Sequence, residues 1–105
     1  MEENMSLKNY TTKVIKKGFT DFDGKKINLS SNIDEEESIF LYNFIRERNN
    51  IKNVLEIGCA NGISSLTIAS ALADRGDSFL TIIDPNQKNQ WNDIGVKLLK
   101  KAFNE

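Results

Sequence analysis

Hydrophobic positions recur along this chain with helical spacing in some stretches and as short unbroken runs in others. Trp91, Ile94, Gly95, Leu98, Leu99 and Ala102 fall at i, i+3, i+4, i+7, i+8 and i+11, which draws one continuous helix face. Lys97, Lys100 and Lys101 lie off that face and suit the negative end of the helix dipole. Phe40, Leu41, Phe44 and Ile45 show the same spacing earlier in the chain. Asp34 stands before them as an N-cap, and Glu35, Glu36 and Glu37 place carboxylates in the first turn, so a helix is predicted from there to near Arg48. Two runs read as strands. Asn53-Val54-Leu55-Glu56-Ile57 is β-prone, and Phe79-Leu80-Thr81-Ile82-Ile83 is apolar enough for a parallel strand covered on both faces. Between them, Ser64 through Ala73 reads as a helix rich in small residues, ended by Gly76-Asp77.

The first third of the chain is less regular. Residues 1–18 are polar with weak periodicity, and Met1 to Ser6 are expected to fray. Phe19–Phe22 and Lys26–Leu29 flank Asp23-Gly24, a pair suited to a tight hairpin turn because both positions accept positive φ. From Asp34 onward the order is helix, strand, glycine loop, helix, strand, acid, helix. A strand–helix–strand unit with so short a crossover implies a right-handed parallel pair, the opening of a doubly wound α/β fold.

Composition narrows the functional classes. The 105 residues allow one small domain, and 28% charged with 39% hydrophobic residues is the balance of a folded, water-facing chain. Fourteen basic and 15 acidic residues nearly cancel, which argues against nucleic-acid binding by bulk charge. The charge is uneven: residues 1–33 carry a net +2, residues 34–49 a net −3, and the remainder is balanced. The longest mostly apolar stretch, Ile39 to Ile45, is too short to span a bilayer. No secretory leader opens the chain, so a cytoplasmic location is expected. With one cysteine, Cys59, and no histidine, an internal disulfide, a zinc site and Ser/Cys–His catalysis within one chain are excluded.

Candidate chemistry concentrates in Val54-Leu55-Glu56-Ile57-Gly58-Cys59-Ala60-Asn61-Gly62, between strand and helix. Glycines at such a bend let backbone approach a ligand and leave free N–H groups at the helix start. The dinucleotide pattern G-x-G-x-x-G fails twice, at Ala60 and Ile63, and the Gly-Lys-Ser/Thr of a phosphate loop is absent. What remains is an acid, one residue, then G-x-A-x-G, with a second acid, Asp84, closing the next strand 26 residues after Gly58.

This pair of features resembles class I S-adenosylmethionine-dependent methyltransferases, whose first motif is acid-x-G-x-G-x-G. Ala60 departs from it at the middle glycine. Leu55-Glu56-Ile57-Gly58 with Gly62-Ile63-Ser64 is similar to the small-molecule O-methyltransferase branch, which tolerates other residues there. Ile83-Asp84-Pro85-Asn86-Gln87, with Trp91 and Gly95, is similar to a branch of the same superfamily. The resemblance covers residues 34–103 and implies a Rossmann-like α/β methyltransferase fold, present in part. On this view residues 1–33 are an N-terminal extension with a helix or hairpin, and residues 34–105 a partial S-adenosylmethionine-binding domain of β-α-β-α order with parallel strands.

The resemblance also implies roles. Glu56 and carbonyls of the Gly58 loop face the cofactor's ammonium. Gly58, Ala60 and Gly62 shape the bend. The helix-start N–H groups and the Ser64 hydroxyl face the cofactor's carboxylate. Asp84 accepts from both ribose hydroxyls, and Asn86 lies near the adenine edge. No catalytic residue and no metal ligand is assigned, and Gln87 has no role. Each residue has a plainer reading: Glu56 as a solvated strand-end acid, Asp84 before Pro85 as a turn former, Gly58 and Gly62 as loop glycines, Trp91 as core. A full domain of this family carries more strands than the two read here, so a truncated product or a fragment is expected. Its open strand edges invite a partner chain or self-association. The activity implied is methyl transfer to an unidentified acceptor, a small molecule or another class. The alternatives are a catalytically inactive remnant or interaction module of the same fold, and a nucleotide-binding reductase.

Overall fold

A computed structural model describes residues 6–22, 24–29 and 33–104. The elements are α1 (Leu7–Lys17), β1 (Phe19–Phe22), β2 (Lys25–Asn28), α2 (Glu35–Arg46), β3 (Asn53–Ile57), α3 (Ile63–Leu72), β4 (Phe79–Ile83) and α4 (Ile94–Asn104). Strands β1 and β2 form an antiparallel hairpin, and β3 and β4 a parallel pair in which Asn53 aligns with Phe79 and Ile57 with Ile83. This is the mixed α/β, partly Rossmann-like architecture anticipated. Of the hairpin's turn pair, Gly24 takes φ +79°, while Asp23 lies outside the described residues, as do Met1 to Met5.

The polar, weakly periodic stretch that follows forms a capped helix, with Ser6 held as its N-cap. The Ser6 side chain accepts from the Asn9 N–H, and Gly18 closes α1 in the left-handed conformation with its N–H on the Val14 carbonyl. Tyr10, Thr11 and Val14 are buried, and Thr11 is tolerated there because its hydroxyl donates to the Leu7 carbonyl at 2.7 Å. In α2, Asp34 and Glu37 build a reciprocal capping box: the Glu37 N–H donates to Asp34 Oδ1 at 2.8 Å and the Asp34 N–H to Glu37 Oε1 at 3.0 Å. The helix ends at Arg46, where Arg75 holds its last carbonyls, donating to Ile45 at 2.8 Å and Arg46 at 3.2 Å.

Helix α3 is the centre of the molecule. It packs against α1, α2, α4 and β4, and eight of its ten residues are buried. Its small side chains allow this: Ser65 and Ala71 are wholly enclosed, and the Thr67 hydroxyl meets that of Ser38 on α2 at 2.8 Å. One core cluster joins Tyr10, Val14 and Leu29 to Ile63, Leu66, Leu98 and Ala102, so α1 and the hairpin share a core with the parallel unit. Burying a leucine such as Leu66 or Leu98, both 0% exposed, contributes about 1.5–3 kcal/mol. A second cluster sets Ile45, Ile68, Ala71 and Leu72 against Val54 and Leu80 of the sheet.

Three expectations change. Phe40 and Phe44 do not join Leu41 and Ile45 in the core. They are 70% and 41% exposed, with ring centroids 6.2 Å apart and the Arg48 guanidinium over Phe44. Helical spacing made one stripe of them, but α3 covers only the side carrying Ser38 and Ile45. Strand β4 is covered on one face only, because α2 and α3 lie on the side of Val54 and Leu80. The other side leaves Leu55 at 59%, Ile57 at 77%, Phe79 at 67% and Ile83 at 51% exposed. Finally, Trp91 precedes α4. Asn92 and Asp93 take φ +51° and +59°, which breaks the helix between Trp91 and Ile94.

Candidate functional site

The parallel register brings the two predicted acids to one end of the sheet. Glu56 aligns with Ile82, the Gly58 N–H donates to the Ile83 carbonyl at 2.7 Å, and the chain turns away from β4 at Asp84. The bend after β3 needs positive φ at Gly58 (+88°), Ala60 (+49°) and Gly62 (+90°). Ala60 therefore occupies the middle-glycine place in a left-handed conformation that costs an L-residue roughly 1–2 kcal/mol and that a residue without branching at Cβ survives.

Asp84 fastens this bend. Its Oδ2 accepts from the Cys59 N–H at 3.0 Å and the Ala60 N–H at 3.1 Å, and its Oδ1 accepts from the Asn86 N–H at 3.0 Å. These bonds, that from Cys59 foremost, hold the Asp84 carboxyl below the usual carboxylate range. Glu56 is held from the other side, its two oxygens accepting one hydroxyl each from Ser64 and Ser65. Cys59 is buried between them, with Sγ 3.4 Å from Ser65 Oγ, and burial raises its thiol pKa. It is not a ready nucleophile.

Glu56, Gly58, Ala60, Gly62, Ser64, Asp84 and Asn86 thus surround one corner. Two packing facts shape it. A Cβ built on Gly58 meets nothing within 4 Å, so the bend is open there. A Cβ on Gly62 would stand 2.8 Å from Gly95 Cα, so backbone meets backbone where the loop crosses the start of α4. No side-chain hydrogen bond caps the start of α3 at Gly62.

Gln87, which had no role on sequence grounds, is a main fastener. It is 7% exposed, and its Nε2 donates to the Ala60 carbonyl at 2.9 Å and to Asp84 Oδ2 at 3.0 Å. Its Oε1 accepts from the Val96 N–H in the first turn of α4 at 3.1 Å. Its position three residues after Asp84 is the only local signal; Ala60 and Val96 become its neighbours through tertiary folding alone.

A family model described as O-methyltransferase matches residues 5–105. The chain belongs to this family. The O-methyltransferase family uses S-adenosylmethionine as its methyl donor. No curated protein and no solved structure matches the chain. The residues present fit that cofactor's methionine and ribose ends: a carboxylate at Glu56, an open glycine bend, an uncapped helix start, and Asp84 Oδ1 with a single intramolecular bond. Among the described residues no cluster of His, Cys, Asp and Glu could hold a metal ion, and no helix is long and apolar enough to cross a membrane.

Proposed function

We propose that this O-methyltransferase-family chain binds S-adenosylmethionine in the corner between Glu56, the Gly58–Gly62 bend and Asp84. It serves there as the cofactor-binding part of an enzyme that methylates a small-molecule acceptor. The observation that carries the reading is that the strand-end carboxylate and the glycine bend are one hydrogen-bonded unit. The bound methyl donor supplies a sulfonium leaving group; the protein's part is placement.

On this reading the roles divide as follows. Ser64 Oγ donates to Glu56 Oε2 at 2.5 Å, which leaves Ser64 an acceptor. It suits the cofactor's ammonium together with Glu56, and the carboxylate falls to the α3 N–H groups. Asp84 Oδ2 already accepts three hydrogen bonds, from Cys59, Ala60 and Gln87, so it is saturated. Oδ1 remains, and it takes one ribose hydroxyl rather than the carboxylate taking both. None of these groups is a free base: Glu56 is engaged, Asp84 is a weakened base, and Cys59 is a buried thiol. Deprotonation of the acceptor is therefore not assigned to this corner. The bare apolar side of β3 and β4 is the surface that further strand–helix units or a partner chain would cover.

Calorimetric titration of the folded chain with S-adenosylmethionine tests the reading. Asp84→Ala removes a charged acceptor worth about 1.5–3 kcal/mol, so the dissociation constant rises roughly tenfold or more. Equal affinity in the variant removes the ribose role. No heat and no thermal shift with the parent chain favours the inactive-remnant alternative.

A further inference from the structure

We infer that Gln87 is a positioning residue, a three-way clamp that sets the glycine bend in its ligand-ready shape by joining it to both Asp84 and α4. Each polar atom of its side chain reaches a different element. Nε2 donates to the bend at the Ala60 carbonyl and to the strand end at Asp84 Oδ2. Oε1 accepts from Val96 N, one of the first-turn N–H groups of α4 that the helix itself cannot satisfy. The backbone joins in: the Gln87 carbonyl accepts from the Asp93 N–H at 2.9 Å, which holds the two consecutive positive-φ residues, Asn92 and Asp93, in place.

The clamp has a steric counterpart. A Cβ on Gly95 would stand 2.5 Å from Cys59 Sγ, 2.7 Å from the Ala60 carbonyl and 2.8 Å from Gln87 Oε1. The bend, the amide and the helix start therefore share one small space that glycine alone leaves open. The donor is specific. With Oδ2 of Asp84 occupied by Cys59, Ala60 and Gln87, Oδ1, which accepts the Asn86 N–H alone, is the oxygen left to take a further donor. Without the Gln87 donor Oδ2 keeps only the Cys59 and Ala60 N–H groups, and the bend loses its tie to α4, so the acceptor that a ribose hydroxyl would use is held less tightly in its direction.

This inference rests on the S-adenosylmethionine reading, and its test separates the two. Three proteins are compared: the parent chain, Gln87→Leu, which keeps a side chain of similar size and removes the three side-chain hydrogen bonds while leaving the backbone ones, and Gln87→Glu. The carboxyl introduced by Gln87→Glu has no proton to donate when ionised and then opposes Asp84 charge to charge; protonated, it regains a donor. Of the titratable groups near it, Asp84 accepts from its amide, Cys59 shares its space against Gly95 with Glu56 acting on that thiol, and the Asp93 N–H bonds its carbonyl; Lys88 follows it in sequence and Lys97 follows Val96. The chain has no histidine, and Asp84 is held ionised by its N–H partners.

Gln87→Leu is expected to weaken S-adenosylmethionine binding about tenfold or more at every pH. Gln87→Glu is expected to show a similar loss at about pH 8 and recovery to within a few-fold of the parent at about pH 5.5, each value taken relative to the parent at the same pH. A merely structural side chain would produce no such pH-dependent rescue. Amide exchange in the ligand-free proteins gives the independent arm: Ala60, Cys59 and Val96 N–H groups should exchange faster in Gln87→Leu. If Gln87→Leu does not fold, the pH profile of Gln87→Glu decides. Parent-level affinity in Gln87→Leu, or a flat Gln87→Glu profile, overturns the clamp while leaving the cofactor reading intact. Failure of the parent to bind sinks the cofactor reading, and unchanged exchange at those three amides then sinks the clamp as well.

Discussion

Replacing each of the two bend glycines by alanine should give unequal results, because the positions share a conformation and differ in surroundings. Gly58 and Gly62 have φ of +88° and +90°, so an L-residue at either pays roughly 1–2 kcal/mol of backbone strain. About 0.4–1 kcal/mol of that is offset by the stiffer unfolded chain. Gly58→Ala meets no atom within 4 Å, so its net cost to stability is about 0.5–1 kcal/mol. Gly62→Ala adds a clash at 2.8 Å with Gly95 Cα and 3.0 Å with its carbonyl oxygen, backbone atoms that cannot rotate aside. Overpacking of that kind costs about 1–3 kcal/mol, which brings Gly62→Ala to about 1.5–4 kcal/mol. For a domain of this size each kcal/mol moves Tm by about 4–8 °C, so Gly62→Ala melts roughly 6–30 °C lower and Gly58→Ala roughly 2–8 °C lower. Urea unfolding followed by the single tryptophan, Trp91, measures both, and the slope m should stay unchanged. If the cofactor sits at the bend as proposed, S-adenosylmethionine titration should rank the pair the other way, because a Cβ at Gly58 would enter the open side of the bend. Equal destabilisation by the two alanines, or a cost below about 1 kcal/mol at Gly62, would refute the backbone-on-backbone contact.

Three further outcomes are expected. Asp84 has a folded-state pKa below its unfolded value, so its stabilisation is complete above about pH 4 and is lost as pH falls through the folded value. Asp84→Asn should accordingly lose less stability than the parent between about pH 5 and pH 2, read as urea midpoints, and parallel curves would contradict this. Leu66→Ala, at a fully enclosed position where α3 meets α1 and α4, should cost about 2–5 kcal/mol in the same assay. Cys59 should react slowly with a thiol reagent near neutral pH in the folded chain and quickly in denaturant, since burial both shields it and disfavours its thiolate; equal rates would show the bend to be open.

The parts of the fold that local chemistry dictates were legible in the sequence. The Asp34 cap with its run of glutamates, the two short strands and the glycine bend between them each announce themselves within a few residues, and each stands where expected. What depended on a remote neighbour was not legible. Leu7, Tyr10, Thr11, Val14 and Ile15 do follow helical spacing, but Thr11 reads as polar until its hydroxyl is seen bonded to Leu7. Spacing groups Phe40 with Ile45 but cannot say which side α3 will cover. The run through Trp91 looks continuous until Asn92 and Asp93 turn left-handed. The importance of Gln87 depends on atoms 27 and 9 residues away.

The exposed side of β3 and β4 sets how the chain behaves in bulk. Leu55, Ile57, Phe79 and Ile83 make a flat, oily panel, and a net charge of −1 gives copies almost no mutual repulsion to keep such panels apart. Salting-out agents sharpen that attraction, and acidification toward the isoelectric point near 5.5 removes the little repulsion there is. A concentrated sample is therefore expected to scatter light before its helices melt, and turbidity followed beside circular dichroism on heating would show the order of the two events.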